Sequence, residues 1–280
     1  MTVFMAIFLG IVQGIAEFLP ISSSGHLAIL QNLLSMDYDD ESHLLFDVLL
    51  HLGTLVSICF VYRKDIKAMI SDALEYLRIR GDSEAGEPLS LKPPARALLF
   101  ILVGTLPMFI ALIFSGFVAQ LFFRMGFVGF ALCVTGGLLF VSDRYIKRGN
   151  KTEKTMSLAD ALIIGCSQAV AVLPGLSRSG TTIAVGLVRG LSGSFAVRFS
   201  LLLSVPAVVG ATIVAIWRAA RGNADFSSFP AYLVGFIVAA VVGFFAIQIL
   251  RRLMAKRGLG KFAYYCWAIG VLTMLLSLIL

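Results

Sequence analysis

Apolar residues run along the chain in long blocks, and charged residues are confined to short connections between them. Six blocks, residues 44–62, 96–117, 122–142, 197–219, 230–250 and 261–280, are long and clean enough to cross a bilayer as helices, which takes about 20 apolar residues each. Two other blocks are broken. Residues 3–35 are interrupted at Pro20 by Ser22, Ser23, Ser24 and Gly25. Residues 157–190 are interrupted at Pro174 and Gly175 by Ser177, Arg178, Ser179 and Gly180. Each half is too short to cross, and irregular backbone at membrane depth is tolerated only inside protein or beside a watery cavity. The pattern predicts two re-entrant hairpins, each made of two half-helices.

Composition agrees with this plan. The 280 residues are 59% hydrophobic and 14% charged, with a mean hydropathy of +0.93. A soluble domain is nearer about 45–50% apolar and about 25% charged, so a soluble enzyme, a disordered chain and a fibrous protein are all excluded. The net charge of +7 does not point to nucleic acid. Its lysines and arginines lie in short runs between apolar segments, as cytoplasmic loops do. Cys59, Cys133, Cys166 and Cys266 sit inside apolar stretches without a CxxC, and read as packing thiols. The first apolar stretch lacks a preceding Lys or Arg and carries Gln13 and Glu17, so it is expected to be mature structure rather than a signal peptide.

Orientation follows from the basic residues. Arg63, Lys64, Lys67, Arg78, Arg80 and Lys92 fill one connection. Arg144, Lys147, Arg148, Lys151 and Lys154 fill a second, and Arg251, Arg252, Lys256, Arg257 and Lys261 a third. The positive-inside rule makes these three cytoplasmic. The acidic connection at Asp37, Asp39, Asp40 and Glu41 then faces out, as do the links near Arg124 and Arg221 and both termini. The first hairpin enters from outside and the second from inside.

A shift of 155 residues superimposes the two hairpins. Gly10 falls on Gly165, Gln13 on Gln168, Ala16 on Ala171, Ser22 on Ser177, Ser24 on Ser179 and Gly25 on Gly180. Each hairpin precedes three spans, and an odd number of spans inverts the second copy. The expectation is an all-α polytopic membrane protein: one membrane domain, residues 1–280, with inverted halves 1–143 and 157–280. Such folds place their site near the midplane, where the broken helices meet. Ser23 and Arg178 are then expected within about 10 Å of each other. A cavity should open from that point to the outer face and sideways to lipid, with the cytoplasmic side plugged.

The polar residues at the breaks define the expected chemistry. Gln13 and Glu17 share one helix face, and a carboxylate at membrane depth is a functional candidate by default. Ser22, Ser23, Ser24, Gly25 and His26 follow the first break, where a helix N-terminus offers free N–H groups to an anion. His26 adds a group that exchanges protons near neutral pH. Ser177, Ser179, Gly180, Thr181 and Thr182 repeat the arrangement, and Arg178 supplies a fixed cation that seeks a phosphate or, as a structural pair, Glu17. Such a site suits a phosphate or diphosphate. Glu17 repels a bare phosphate, so it reads as a general base or as a ligand to a divalent cation, Mg²⁺ or Ca²⁺. Asp47 and His51, four apart, read as a mutual pair turned toward the bundle, or as support behind the site. His43 is expected to be solvated.

The run from Gln13 to His26, QGIAEFLPISSSGH, resembles the first signature of the undecaprenyl-diphosphate phosphatases, the BacA/UppP family. The run from Pro174 to Thr182, PGLSRSGTT, resembles its second. The resemblance implies hydrolysis of undecaprenyl diphosphate to the monophosphate carrier and phosphate, at the outer face of the bacterial inner membrane, with a link to cell-wall synthesis and bacitracin resistance. It further implies Glu17 and Gln13 as metal-linked residues, Ser23 as nucleophile and His26 as the motif histidine; Glu17 or His26 takes the serine proton, with His26 itself or water as the alternative nucleophile. Ser177, Arg178 and Thr182 become diphosphate-binding residues. Gln13 departs from the two-glutamate form of the motif and leaves Glu17 as the main anionic ligand. The other class to weigh is a flippase for a prenyl phosphate carrier, since secondary transporters also use inverted repeats with broken helices. Such a transporter would not require Ser23, His26 and Glu17 together.

Overall fold

The computed structural model describes residues 1–34, 41–82, 91–146, 148–221, 228–256 and 258–279, with no side-chain description at 41–44, 79–82, 215, 218–221 and 256. The acidic residues Asp37, Asp39 and Asp40 and the Glu41 side chain therefore lie outside what is described. So do His43 and the basic side chains Arg80, Lys147, Arg221, Lys256 and Arg257.

The first hairpin comprises α1 (Val3–Phe18) and α2 (Ser23–Leu33). Pro20 ends α1: the residue before a proline is driven out of the helical region, and Leu19 is extended at ψ 139°. The second hairpin comprises α9 (Leu158–Val170) and α10 (Arg178–Val188). The offset of 155 carries Thr2, Val3, Ser23 and Leu33 onto Ser157, Leu158, Arg178 and Val188, so three of four helix limits correspond. The capping corresponds as well. Thr2 and Ser157 each accept the N–H three residues on, and so do Ser22 and Ser177. These hydroxyls satisfy donors that a helix start leaves orphaned.

Between and after the hairpins run α3 (Glu41–Val61), α4 (Arg63–Asp82), α5 (Pro93–Thr105), α6 (Met108–Ile113), α7 (Ser115–Phe122) and α8 (Met125–Ser142), and then α11 (Gly193–Arg221), α12 (Phe229–Lys256) and α13 (Gly260–Leu276). Among the described residues four stretches are long and apolar enough to cross a membrane: Pro93–Ile113, Met125–Tyr145, Gly193–Val214 and Phe229–Ala255. The expected span at 44–62 meets the criterion only together with α4, from which it is bent by 74°. The expected span at 261–280 is a helix of 17 residues, about 25 Å long at 1.5 Å per residue. Sequence reading also treats the stretch after residue 62 as a connection, whereas it forms the 20-residue helix α4. Its Met69 is buried and Ile66 packs against the core, while Ile70, Leu74 and Leu77 face outward, an amphipathic pattern too polar to read as a span.

The molecule is apolar on both sides of its helices. Phe18, Ile58, Phe100, Ile164, Ile183, Phe199 and Leu203 fill the main core, while Phe109, Ile113, Phe117, Phe130, Ile213 and Phe245 point outward. That outer belt belongs in lipid.

Polar contacts gather the three basic connections on one face. Arg198 joins Asp65 at 3.0 Å to Glu153 at 2.7 Å, and Arg96 donates to the Lys154 carbonyl. Arg251 lies over the Tyr62 ring, and Asp143 accepts the Leu259 N–H. Buried Asp160, in the first turn of α9, binds Lys151 at 2.9 Å and Arg189, just past α10, at 2.8 Å. Both ends of the second hairpin are thereby tied to the same face. Burial pushes the Asp160 carboxyl up, but Lys151, the Ser157 N–H and Arg189 outweigh it and bring it down to about 2.

Candidate active site

The two breaks meet. The Ser22 hydroxyl lies 3.3 Å from the Leu176 carbonyl. A Cβ on Gly25 would come within 3.0 Å of the Gly175 Cα, and Gly175 itself sits at φ 94° with Val128 O where its Cβ would be. No side chain fits there, and the left-handed conformation favours glycine as well. Thr135 of α8 fastens this turn by donating to the Gly175 carbonyl and accepting the Ser177 N–H. Ser22 has φ 71°, the one non-glycine residue at positive φ among the described residues. Such strain persists only where the surroundings over-determine it.

Glu17 stands at the centre, almost fully buried. Its Oε2 accepts Ser23 Oγ–H at 2.6 Å and the Gln13 amide at 3.0 Å. Its Oε1 accepts Arg178 Nη2 from the other hairpin. Ser23 and Arg178 thus meet on one carboxylate. The Arg178–Glu17 ion pair, weighed above as a structural alternative, is formed. His51 places Nε2 3.7 Å from Glu17 Oε2. The expected Asp47–His51 side-chain pair takes a different shape: His51 Nδ1 bonds the Asp47 backbone carbonyl, and the Asp47 carboxylate receives Gln31. The stem of the helix fixes this, because a ring four residues on reaches the carbonyl below it.

His26 has both ring nitrogens engaged. Nδ1 lies 2.8 Å from the Ser22 carbonyl, which only accepts, so Nδ1 carries hydrogen. In the neutral ring Nε2 is then the acceptor for the Tyr265 hydroxyl, 2.8 Å away, and the two rings lie parallel. Ser23 has its contact with Glu17, not with His26. The remaining hydroxyls divide. Ser22 and Ser177 are helix caps, with Ser24 and Ser179 beside them at 3.3 and 3.4 Å. Gly180 gives its N–H to the Ser177 cap. Thr182 is buried and spends its hydroxyl on the Arg178 carbonyl and Ser200 of α11. Thr181 Oγ1 is buried with no hydrogen-bond partner in the structure.

Tyr265 and Ser200 are contacts that sequence reading missed. Neither has a spacing that ties it to either break: Tyr265 follows Tyr264, and Ser200 lies between Arg198 and Ser204 in α11. Two cavities lie elsewhere, one lined by Arg96, Phe100 and Met156, the other by Leu49, Leu52, Leu233 and Phe236. At the breaks the open edge is formed by half-buried Ser23, Ser24 and His26, by Arg178 and His51, and by exposed Tyr265.

The protein alone offers a divalent cation few oxygens, so a cation bound beside Glu17 would take most of its ligands from the diphosphate and water. Hard cations need several oxygens, and among the described residues no three His, Cys, Asp or Glu side chains gather to hold a metal. The Gln13 amide turns N–H, not oxygen, toward Glu17, and leaves Oε1 buried and unpartnered. Without substrate, the Arg178 guanidinium pairs with the second carboxylate oxygen.

Fold and site together define a polytopic all-α membrane protein with a serine–carboxylate–arginine centre where two broken helices meet. The chain belongs to the bacitracin resistance protein BacA family, whose profile matches residues 6–272. It is similar to the protein named undecaprenyl-diphosphatase of Methanobrevibacter smithii, 40% identical over 280 residues and 99% of each chain. Proteins of the same name from Methanosphaera stadtmanae, 41% identical over 98% of each chain, and Halothermothrix orenii, 38% identical over 99% of each, are similar too.

Proposed function

We propose that this chain hydrolyses undecaprenyl diphosphate to undecaprenyl phosphate and inorganic phosphate. The observation that carries the reading is the Ser23 hydroxyl donated at 2.6 Å to a carboxylate whose other oxygen holds Arg178. A nucleophile bonded to its base, with a guanidinium alongside, is the apparatus of phosphoryl transfer. Family membership and the names of the relatives support the substrate.

The lipid tail stays in the bilayer while the diphosphate reaches the breaks. Arg178 turns from Glu17 to the terminal phosphate, and its planar fork and the two helix N-termini offset the charge on the transferring group. Glu17, released from its ion pair, takes the Ser23 proton as Oγ attacks the terminal phosphorus. The bridging P–O bond breaks and undecaprenyl phosphate leaves. Glu17 passes the Ser23 proton to the departing undecaprenyl phosphate, then takes a proton from the water that attacks the phosphoserine and hands it to Ser23 Oγ as the P–Oγ bond breaks, releasing phosphate with Ser23 and Glu17 restored. His26, held between Ser22 and Tyr265, orients the start of α2 rather than acting as base. Thr182 supports Arg178 through the Arg178 carbonyl. Ser177, Ser179 and Gly180 shape the second phosphate cradle, and Ser22, Ser24 and Gly25 the first.

The site reads as open to the outer side of the plasma membrane, opposite the face that gathers the basic connections. The reaction there recycles the lipid carrier of cell-wall synthesis. A carrier flippase would use the anion cradle but not the Ser23–Glu17 bond. Purified protein in detergent, given undecaprenyl diphosphate, is expected to release phosphate in a Ser23-dependent manner. Binding without release would favour the flippase.

A further inference from the structure

Glu17 has a neighbour from outside both hairpins. His51 of α3 sets Nε2 3.7 Å from Glu17 Oε2, and its Nδ1 donates to the Asp47 carbonyl at 2.8 Å, which fixes the ring. The Asp47 carboxylate receives the amide of Gln31 at 2.9 and 3.1 Å, and Gln31 is buried on α2, two turns beyond Ser23. Contacts therefore run from the nucleophile's helix through α3 and back to the base. The His51 side chain is 32% exposed, so it is not a packing residue of the core. A separation of 3.7 Å is too long for a direct hydrogen bond, and with Nδ1–H given to the Asp47 carbonyl, Nε2 attracts the carboxylate in the imidazolium form, as a charge contact.

We propose that His51 is a positioning residue that holds the Glu17 carboxylate toward Ser23 once Arg178 has turned to the phosphates. The inference rests on the roles of Ser23, Glu17 and Arg178 given above. Arg178 alone of the three holders addresses Oε1; Gln13 and His51 both address Oε2, the oxygen that takes the Ser23 proton. When Arg178 leaves, Gln13 by itself gives one anchor to a side chain with several rotatable bonds. His51 supplies the second from a different helix.

The test uses the purified full chain and separates kcat from KM in phosphate release. His51→Leu is expected to lower kcat about tenfold or more with KM within about twofold, because His51 aligns the base without touching substrate. His51→Gln, which carries an N–H to nearly the same reach, is expected to recover to within about threefold of wild type. Unchanged kcat in His51→Leu, a loss carried by KM, or a Gln variant as poor as Leu would each overturn the proposal. Should His51→Leu fail to insert, His51→Asn replaces it, since its amide stops short of Glu17. A readout free of turnover is the infrared carboxylate stretch of Glu17, assigned with Glu17→Gln. It is expected to shift in His51→Leu, and an unmoved band contradicts the contact. If the wild type releases no phosphate, the functional reading falls while the infrared band still decides the role of His51.

Discussion

Replacing Glu17 by Gln keeps the shape of the side chain and removes its charge. Ser23 Oγ, now 2.6 Å from a carboxylate oxygen, loses the acceptor for its proton. Loss of a positioned base lowers kcat by about 100- to 10,000-fold. KM is expected to hold or fall, since the carboxylate no longer repels the diphosphate. The variant also strands Arg178. Removing one partner of a fully buried pair costs about 3–5 kcal/mol. The Arg178 side chain is 22% exposed, so water reaches it and the loss is expected nearer about 1–3 kcal/mol. Added inorganic diphosphate should then raise the Tm of Glu17→Gln more than that of the wild type, because the guanidinium is already free to bind it. Phosphate release in detergent and thermal unfolding with and without diphosphate measure both effects. A variant that keeps more than about a tenth of wild-type kcat, a barrier change under about 1.4 kcal/mol, would show that Glu17 is a structural partner of Arg178 and not the base.

Arg178→Lys should be within about threefold as damaging as Arg178→Ala in kcat/KM, because a lysine keeps charge but not the fork that holds two phosphate oxygens; near-normal turnover would mean a point charge suffices. Gln13→Glu should retain activity and gain a steeper dependence on added Mg²⁺ or Ca²⁺, read by titration after chelation, since it supplies the second carboxylate the wild-type site lacks. Tyr265→Phe should reduce kcat about three- to tenfold without changing Tm by more than a few degrees, because it frees one nitrogen of His26. Folded Asp160 titrates at about 2 against 3.8 ordinarily, so its stabilisation is complete above about pH 4 and is lost as pH falls toward 2. Thermal unfolding of Asp160→Asn should accordingly fall less steeply than wild type over that acid range.

The breaks were legible because their constraints are local. Pro20 drives Leu19 out of the helical region, and serines at each break are good caps for the helix that follows, although it is the structure that singles out Ser22 and Ser177 among them. The junction of Glu17, Ser23 and Arg178 follows from the same logic once the two halves are superimposed. What the sequence did not reveal depends on packing between distant helices. Tyr265 meets His26 across 239 residues. Thr182 turns to Ser200 although its motif position reads as phosphate-binding. His51 passes by the Asp47 carboxylate, which looks like its partner at helical spacing, and reaches toward Glu17 instead. The length of α4 was hidden by its charge, since an amphipathic helix lying beside the spans scores as a loop on hydropathy.

Rapid quenching of the purified protein with undecaprenyl diphosphate labelled in its terminal phosphate tests the central claim most directly. The account predicts transient label on Ser23, stable to acid, absent from Ser23→Ala and from Glu17→Gln, with turnover lost in both. Label on His26, or undiminished phosphate release by Ser23→Ala, would contradict it.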